Sequence, residues 1–252
     1  MENRDYRLSS SNTDRPVLVL GHSLGTNFSL WDPVIGRLEQ NFRLLFYNPH
    51  PRQAGAGNAS VESRGKQLIE LLDYLGFQQI DFCGVSMSGL IGQWLALAKP
   101  KCIRNLILVN TAARVGNPQA WQERINLVRE TGLAELAHSL AARWFSPDFA
   151  VRNIELIERF AGQLCSFSPQ GYLAACEAIR DSDFRDRVAG IGIRTLIIAG
   201  RYDRAASLAD AEFLYQQIAS SQLVVFPCGH LACVETPREF ADALSEFLLR
   251  PD

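Results

Sequence analysis

The sequence predicts an α/β fold: a mostly parallel sheet with helices on both faces and an inserted helical cap. Two observations carry this prediction. Short apolar runs alternate with helical spacing along most of the 252 residues, which is typical of parallel strands joined by helices. The stretch 116–188 breaks this alternation, because it has helical spacing without strands. We therefore expect a core formed by residues 1–115 and 189–252, with residues 116–188 as the cap.

The individual core elements follow from the same spacing. Predicted strands, each a short apolar run, lie near 17–21, 42–47, 79–84, 104–110, 194–200 and 221–226. Predicted helices lie near 31–39, 61–76, 88–99, 208–218 and 237–249. An antiparallel edge strand is a further possibility at residues 5–7. Because the insertion follows the fourth of these strands, we expect the cap to lie over the carboxyl edge of the sheet, where open α/β sheets bind ligands.

Composition and charge exclude several classes of function. With 47% hydrophobic residues, the chain can bury the core of one sizeable domain. The formal net charge is −2 without a long run of one sign, which argues against nucleic acid or an anionic membrane surface as a partner. The first residues lack the apolar core of a signal peptide, and no apolar run approaches membrane-spanning length, so we expect a cytoplasmic protein. The expected partner is a small-molecule substrate, and a homo-oligomer is possible.

The cysteines indicate neither a zinc site nor a disulfide framework. They are scattered along the chain and lack the close pairs that bind zinc. In a reducing compartment we expect free thiols, most of them buried. The six residues concerned are Cys83, Cys102, Cys165, Cys176, Cys228 and Cys233.

The most informative motif is the run GVSMSG at residues 84–89. A short apolar strand precedes it, and a helix with apolar spacing follows it. A serine between small residues is common in ordinary turns, but a serine on a sharp turn from strand to helix is typical of a nucleophile elbow. The order of elements therefore favours Ser86 as a nucleophile. Ser88 stands where the usual elbow has glycine.

A serine hydroxyl is a poor nucleophile at neutral pH, so Ser86 requires a base and an acid that orients the base. In enzymes with this elbow, the acid follows the serine along the chain and the base comes last. His230 is the last of the four histidines and lies in a loop after the final predicted strand, so it is the predicted base. Asp203 directly follows the preceding strand and is the predicted acid. Asp210 is a rival, although it falls in a predicted helix.

An oxyanion hole completes the predicted chemistry. One backbone N–H of such a hole comes from the residue after the nucleophile, and the other comes from the loop after an early core strand. That loop has the sequence HSLGT at residues 22–26. We therefore assign the hole to the amides of Leu24 and Met87. We interpret His22 as a residue that orients this loop rather than as a second base.

These motifs resemble those of the α/β-hydrolases and, more narrowly, those of the 3-oxoadipate enol-lactonases. The resemblance covers nearly the whole chain. The triad motifs occur throughout the superfamily, whereas the segments 110–114 and 121–125 are narrower and carry most of the specific assignment. The matching segments are 22–26 with 31–33, 83–87 with 92–95, 110–114, 121 with 124–125, 143–145, 171–172 with 176, and 229–231 with 234–235 and 237.

The resemblance implies an enzyme that opens a small carboxylated enol-lactone, 3-oxoadipate enol-lactone, to 3-oxoadipate in aromatic catabolism. It implies no metal and no organic cofactor. A guanidinium binds a carboxylate in bidentate fashion, so Arg114 and Arg124, both in the family-like segments, are candidates to hold the substrate carboxylate. Trp121 and Trp144 are candidate substrate contacts, although aromatic residues at helical spacing are more often part of a cap core.

Three segments depart from the family pattern. Residues 48–53 read NPHPRQ where the family usually has an aspartate followed by RGHG, Ser88 replaces the glycine of the elbow, and residues 204–207 lack the usual prolines. None of these changes removes a predicted triad residue. Two alternatives stay open: a carboxylesterase or other lactonase with the same triad, and a ligand-binding pseudo-enzyme with negligible turnover.

Overall fold

The computed structural model describes residues 5–9, 14–50 and 60–250. These residues contain a seven-stranded sheet with the order β1-β3-β2-β4-β5-β6-β7. Strand β1 pairs with β3 in antiparallel orientation, and the other pairs are parallel. The strands are β1 Tyr6–Leu8, β2 Val17–Gly21, β3 Arg43–Tyr47, β4 Ile80–Val85, β5 Ile103–Val109, β6 Thr195–Gly200 and β7 Ser221–Phe226. The predicted mostly parallel α/β fold is confirmed, including the antiparallel edge strand.

Helices cover both faces of the sheet, and a group of helices separates β5 from β6. The helices of the core are α1 Asp32–Leu38, α2 Val61–Leu75, α3 Met87–Ala98, α9 Leu208–Gln217, α10 Ala232–Glu235 and α11 Pro237–Leu249. The helices between β5 and β6 are α4 Pro118–Thr131, α5 Leu133–Ala142, α6 Pro147–Arg152, α7 Ile154–Cys165 and α8 Pro169–Arg180. Each predicted core helix is present within one or two residues of its expected bounds; α10 was not predicted.

The central strands of the sheet are buried on both faces, which explains why they read as continuous apolar runs. Every residue of β4 is buried, and all but Arg104 of β5 are buried. Helix α3 is buried over most of its length and packs directly on both strands. Such a strand–helix unit has no room to shift, so the turn that joins β4 to α3 is held firmly in place.

The inserted helices have their own apolar contacts. Helix α5 packs on α7, and α4 packs on α8. Ile125, Leu140 and Phe160 are among the side chains buried there. The amide of Ala120 donates a hydrogen bond to the Asn117 side chain at 2.8 Å, which caps the start of α4. The division of the chain into a core and a cap at residues 116 and 188 stays a prediction, although these helices lie where it expects them.

Two further features agree with the expectations from composition. All six cysteines are free thiols, and four of them are buried; Cys102 is half-buried and Cys165 is exposed. Among the described residues, no helix combines the length and the apolar character needed to cross a membrane.

Candidate active site

The turn between β4 and α3 holds Ser86 in a strained conformation. Its φ is 54° and its ψ is −111°, a region that residues other than glycine rarely adopt and that costs about 1–3 kcal/mol. Surrounding hydrogen bonds fix this backbone. The Ser86 amide donates to the carbonyl of Val109 at 2.9 Å, and the Ser86 carbonyl accepts from the Thr111 hydroxyl at 2.7 Å and from the Gly89 amide at 2.8 Å. The strain and its support are those of a nucleophile elbow.

The small residues around Ser86 are required by close packing. A Cβ atom on Gly84 would lie 2.4 Å from the carbonyl oxygen of Ser88, and one on Gly89 would lie 2.6 Å from the Thr111 side chain. Either contact is closer than a side chain tolerates. Strand β4 and helix α3 can therefore approach closely only with glycine at these two positions.

Asp203 and His230 are in contact, although they come from loops after different strands. The Oδ2 atom of Asp203 lies 2.8 Å from Nδ1 of His230, and both side chains are almost fully buried. The other carboxylate oxygen accepts hydrogen bonds from the amides of Ala205 at 2.7 Å and Ala206 at 3.1 Å. Since Nδ1 faces the carboxylate, Nε2 is the nitrogen left to exchange a proton with another group.

The surroundings of Asp203 favour its ionised form. Burial by itself would raise the pKa of this carboxyl, but the imidazole of His230 and the hydrogen bonds from that ring and from two backbone amides hold the pKa below its ordinary value. The carboxylate is therefore charged at neutral pH. It can keep the imidazole in one tautomer and stabilise the positive charge that the ring acquires when it accepts a proton.

Asn110 also holds this pair, and the sequence analysis did not predict its role. Its side-chain nitrogen donates to Oδ2 of Asp203 at 3.0 Å and to the carbonyl of Gly229 at 3.1 Å, so one amide group orients both the acid and the loop of the base. Asn110 has a φ of 45°, a conformation that asparagine tolerates better than most residues. An asparagine directly after β5 lies at the carboxyl edge of the sheet, but its position in the sequence does not show that it contacts Asp203 and Gly229.

The rival acid, Asp210, has a different role. It is the third residue of α9, where its Oδ2 accepts hydrogen bonds from both the amide and the hydroxyl of Ser207 at 2.7 Å. The Asp210 amide donates in return to the Ser207 hydroxyl at 3.3 Å. This reciprocal arrangement is a capping box, which stabilises the start of a helix.

The oxyanion hole assigned to the amides of Leu24 and Met87 stays a prediction, and the structure describes the surroundings of both residues. Met87 is the first residue of α3, where an amide has no partner within the helix. Leu24 is buried and lies with Ser86 in the wall of the same cavity. Within the described part of the chain, neither amide donates a hydrogen bond to a protein acceptor. Both amides are therefore without a protein acceptor among the described residues, as the predicted oxyanion hole requires.

His22 lies in the same loop and is buried. Its Nδ1 lies 3.0 Å from the Ser23 carbonyl, which also accepts the Thr26 hydroxyl at 2.9 Å. Burial lowers the pKa of His22 to about 4, so the ring is neutral at pH 7. Its contacts fit the predicted interpretation of His22 as a residue that orients this loop.

The cavity above Ser86 has a volume of about 150 Å³ and is walled by both the core and the inserted helices. Ser86, His230 and Leu24 line it from the core. Of the predicted substrate contacts, Trp121 and Arg124 line it from α4, and Trp144 lines it from the segment between α5 and α6. The cavity wall also contains two arginines that were not predicted, Arg143 and Arg204, and Tyr172.

Arg114, the other arginine predicted to hold the substrate carboxylate, forms an ion pair outside this cavity. It is absent from the cavity wall, and its Nη1 lies 3.3 Å from Oδ2 of Asp183. Spacing along the sequence placed Arg114 and Arg124 in similar family-like segments, but only Arg124 faces the cavity. The guanidinium of Arg124 lies 4.6 Å from the centre of the Trp121 ring, at cation–π distance. The Trp121 ring is held in turn by a hydrogen bond from its Nε1 to the Val115 carbonyl at 2.8 Å.

The charge of the cavity is one-sided. Three arginines line it, and its described wall contains neither aspartate nor glutamate. Arg124 is half-buried, whereas Arg143 and Arg204 are exposed. The cavity therefore suits an anionic ligand, with Arg124 best shielded from water.

The divergent segment 48–53 is only partly described, since residues 51–53 lie outside the described ranges. Of the rest, His50 packs next to the loop at residues 22–26. Its ring centre lies 5.5 Å from that of His22 and 5.4 Å from that of Phe167. Burial, with the nearby His22 and Arg64, places the pKa of His50 well below its ordinary value.

Comparisons with known proteins show which proteins the chain is similar to in sequence and fold. The family model of the alpha/beta hydrolase fold matches residues 65–237. The chain is 38% identical to 3-oxoadipate enol-lactonase 2 of Acinetobacter baylyi over 94% of this chain and 90% of that protein, and 33% identical to 3-oxoadipate enol-lactonase 1 of the same organism over 92% and 88%. The crystal structure of the enol-lactonase from Burkholderia xenovorans superimposes with a TM-score of 0.93 at 32% identity, covering 97% of this chain and 96% of that one.

Proposed function

Because the chain belongs to the alpha/beta hydrolase fold family, we propose that Ser86, His230 and Asp203 form the catalytic triad of a serine hydrolase that opens a small carboxylated enol-lactone. The enzyme is an ester or lactone hydrolase, as its similarity to enol-lactonases over nearly the whole chain indicates. The proposed substrate is 3-oxoadipate enol-lactone, and the proposed product is 3-oxoadipate, an intermediate in the breakdown of aromatic compounds.

The first chemical step acylates Ser86. Nε2 of His230 takes the hydroxyl proton while the Ser86 oxygen attacks the lactone carbonyl carbon. The carbonyl electrons move to oxygen, and the amides of Leu24 and Met87 bind the resulting oxyanion. Met87 is at the N-terminus of α3, where the helix dipole adds to the attraction for negative charge.

The second part of the cycle opens the ring and releases the product. When the tetrahedral intermediate collapses, the bond from the acyl carbon to the ring oxygen breaks, and the ring oxygen leaves as an enolate. An enolate is a better leaving group than an alkoxide; it takes up the proton that His230 removed from Ser86, and the resulting enol tautomerises to the ketone. His230 then deprotonates a water molecule that attacks the acyl carbon, and Ser86 leaves with its proton restored. No step of this cycle requires a metal or an organic cofactor.

The proposal of a carboxylated substrate rests on the charge of the cavity. Arg124, Arg143 and Arg204 line the same space as Ser86, and no described lining residue carries a negative charge. We assign the substrate carboxylate to Arg124. Its guanidinium stacks over Trp121 and is the least exposed of the three, so a carboxylate there is bound with less competition from water.

A carboxylesterase or another lactonase with the same triad is the alternative enzyme, and a ligand-binding pseudo-enzyme is the alternative outside catalysis. The experiment is to measure kcat/KM for 3-oxoadipate enol-lactone beside neutral lactones and p-nitrophenyl esters of similar size. The proposal expects the carboxylated lactone to be preferred by on the order of a hundredfold, since a desolvated bidentate pair contributes several kcal/mol. Equal rates on neutral esters would favour a carboxylesterase, and no turnover of any substrate would favour a pseudo-enzyme.

A further inference from the structure

Ser88 connects the nucleophile elbow to the loop at residues 22–26, which carries the proposed donor Leu24 and is called the oxyanion loop below. Its side chain is fully buried in the first turn of α3. The Ser88 hydroxyl donates a hydrogen bond of 2.6 Å to the backbone carbonyl of His22, which is 66 residues earlier in the chain. This short bond crosses from the segment that carries one proposed oxyanion donor to the segment that carries the other.

The two proposed donors lie directly beside the ends of this bond. Met87 is the neighbour of Ser88, and Leu24 is two residues after His22. An oxyanion hole stabilises a transition state only when both N–H groups lie about 2.7–3.1 Å from the developing charge, so the separation of the two segments matters. Each donor is a backbone amide, and its position can be changed only by moving its segment.

The packing at Ser88 leaves little freedom for another arrangement. A Cβ atom on Gly21 would lie 2.8 Å from both Cβ and Oγ of Ser88, so the end of β2 approaches the serine side chain as closely as glycine permits. The His22 ring contacts the Ser23 carbonyl, within the same loop, through its Nδ1 atom. The bond from Ser88 is thus the contact that fixes the His22 carbonyl relative to α3.

We propose that Ser88 is a positioning residue that sets the distance between the two oxyanion donors, Leu24 and Met87. The proposal rests on the proposed serine hydrolase function. Ser88 is not part of the cavity wall, so it does not touch the substrate and acts only through the two backbone segments. Loss of the hydroxyl leaves the oxyanion loop free to drift from α3 and leaves a buried carbonyl without its donor.

The test is Ser88→Ala, with Ser88→Gly as a second deletion of the same hydroxyl. We expect kcat for p-nitrophenyl acetate to fall about 10–30-fold, which is less than the loss of a whole oxyanion donor, while KM changes less than twofold. Binding of phenylboronic acid, whose serine adduct carries the oxyanion, should weaken by a similar factor. The pH profile of kcat/KM should be unchanged, because Asp203 and His230 keep their contacts.

The matched control is Thr195→Val. Thr195 is fully buried at the other end of the sheet, and its hydroxyl donates to the Ile193 carbonyl at 2.7 Å, so the variant removes a similar bond far from the site. It should lose stability but keep kcat and boronate affinity. If Ser88→Ala also keeps both, or loses kcat and KM together without weaker boronate binding, the positioning role is wrong. Absence of any turnover or boronate binding in the wild-type protein would instead overturn the serine hydrolase function on which it rests.

Discussion

The carboxylate of Glu235 accepts two hydrogen bonds from Ser146, one from its amide at 3.1 Å and one from its hydroxyl at 2.6 Å. The same carboxylate accepts the amide of Gly229 at 2.7 Å, and the amide of His230 donates to the Trp144 carbonyl at 2.7 Å. Glu235 therefore ties the loop of the proposed base to a segment between inserted helices that contributes Trp144 to the cavity wall. We therefore expect the position of the His230 loop to depend on the position of that segment.

Glu235→Gln should lower kcat/KM about tenfold with a modest loss of stability. The amide keeps the shape of the side chain but turns one acceptor into a donor that faces the groups it should accept from. Hydrogen bonds to a charged group contribute about 1.5–3 kcal/mol to the folded state, and we expect part of this loss to displace the His230 loop and slow the reaction. The control is Glu158→Gln, on an exposed carboxylate in α7. Wild-type activity in Glu235→Gln would show that the base does not depend on this connection.

Asp203→Asn should be severe, and Asp210→Asn should not. Asparagine at 203 cannot hold the imidazole in the required tautomer, so kcat should fall by up to about four orders of magnitude and the pH profile should change. Asp210 caps α9, and its replacement should cost only about 1 kcal/mol of stability. Measuring kcat across pH and thermal unfolding for both variants separates the two roles. A larger loss of kcat in Asp210→Asn would place the acid there.

Arg124→Met should lower kcat/KM for charged substrates and leave it nearly unchanged for neutral ones. Loss of one partner of a desolvated bidentate pair costs roughly 2–5 kcal/mol, about thirtyfold or more in kcat/KM for a carboxylated lactone. Neutral esters should be nearly unaffected, and Arg124→Lys should restore part of the loss, because it keeps the charge but not the fork. Arg114→Met is the control, since Arg114 pairs with Asp183 outside the cavity. Equal losses on charged and neutral substrates would give Arg124 a packing role only.

His22 should make the protein less stable in mild acid. Burial lowers its pKa to about 4, from an ordinary value of 6.5 in the unfolded chain. Between these pH values the unfolded chain binds a proton that the folded chain does not, so the free energy of unfolding decreases as the pH falls from 6.5 towards 4. One such group contributes up to about 1.4 kcal/mol per pH unit. The pKa of His50 is shifted in the same direction and adds to the effect.

Urea unfolding at a series of pH values checks this expectation. His22→Gln should have a flatter dependence of the free energy of unfolding on pH between 6.5 and 4 than the wild-type protein. Thr195→Val should keep the wild-type dependence, because it removes a buried hydroxyl and no titratable group. The comparison uses slopes, so a uniform loss of stability in either variant does not affect it. Identical slopes for His22→Gln and the wild type would mean that His22 is protonated as readily in the folded chain as in the unfolded chain.

The sequence was sufficient to predict most helices and strands, and the residues whose placement depends only on their own segment. Strands such as β4 are buried on both faces and read as apolar runs, and Ser86 lies on a turn whose neighbours must be small. The roles of Asn110 and Glu235 depend on contacts between segments far apart in the chain, which no local pattern encodes. Arg114 and Arg124 show the same limit. Which side chain reaches a cavity depends on the direction of its helix or loop, and spacing does not determine that direction.

Covalent labelling with a fluorophosphonate tests the central claim most directly, because the reagent reacts with a serine only when a base activates it and an oxyanion hole receives the phosphoryl oxygen. Peptide mass spectrometry of the labelled protein should find one adduct, on the peptide that contains Ser86. Ser86→Ala should remain unlabelled and His230→Ala should react slower by on the order of a thousandfold, since triad members act as a unit. An adduct on another serine, or ester turnover by Ser86→Ala above a few per cent of wild type, would contradict Ser86 as the nucleophile.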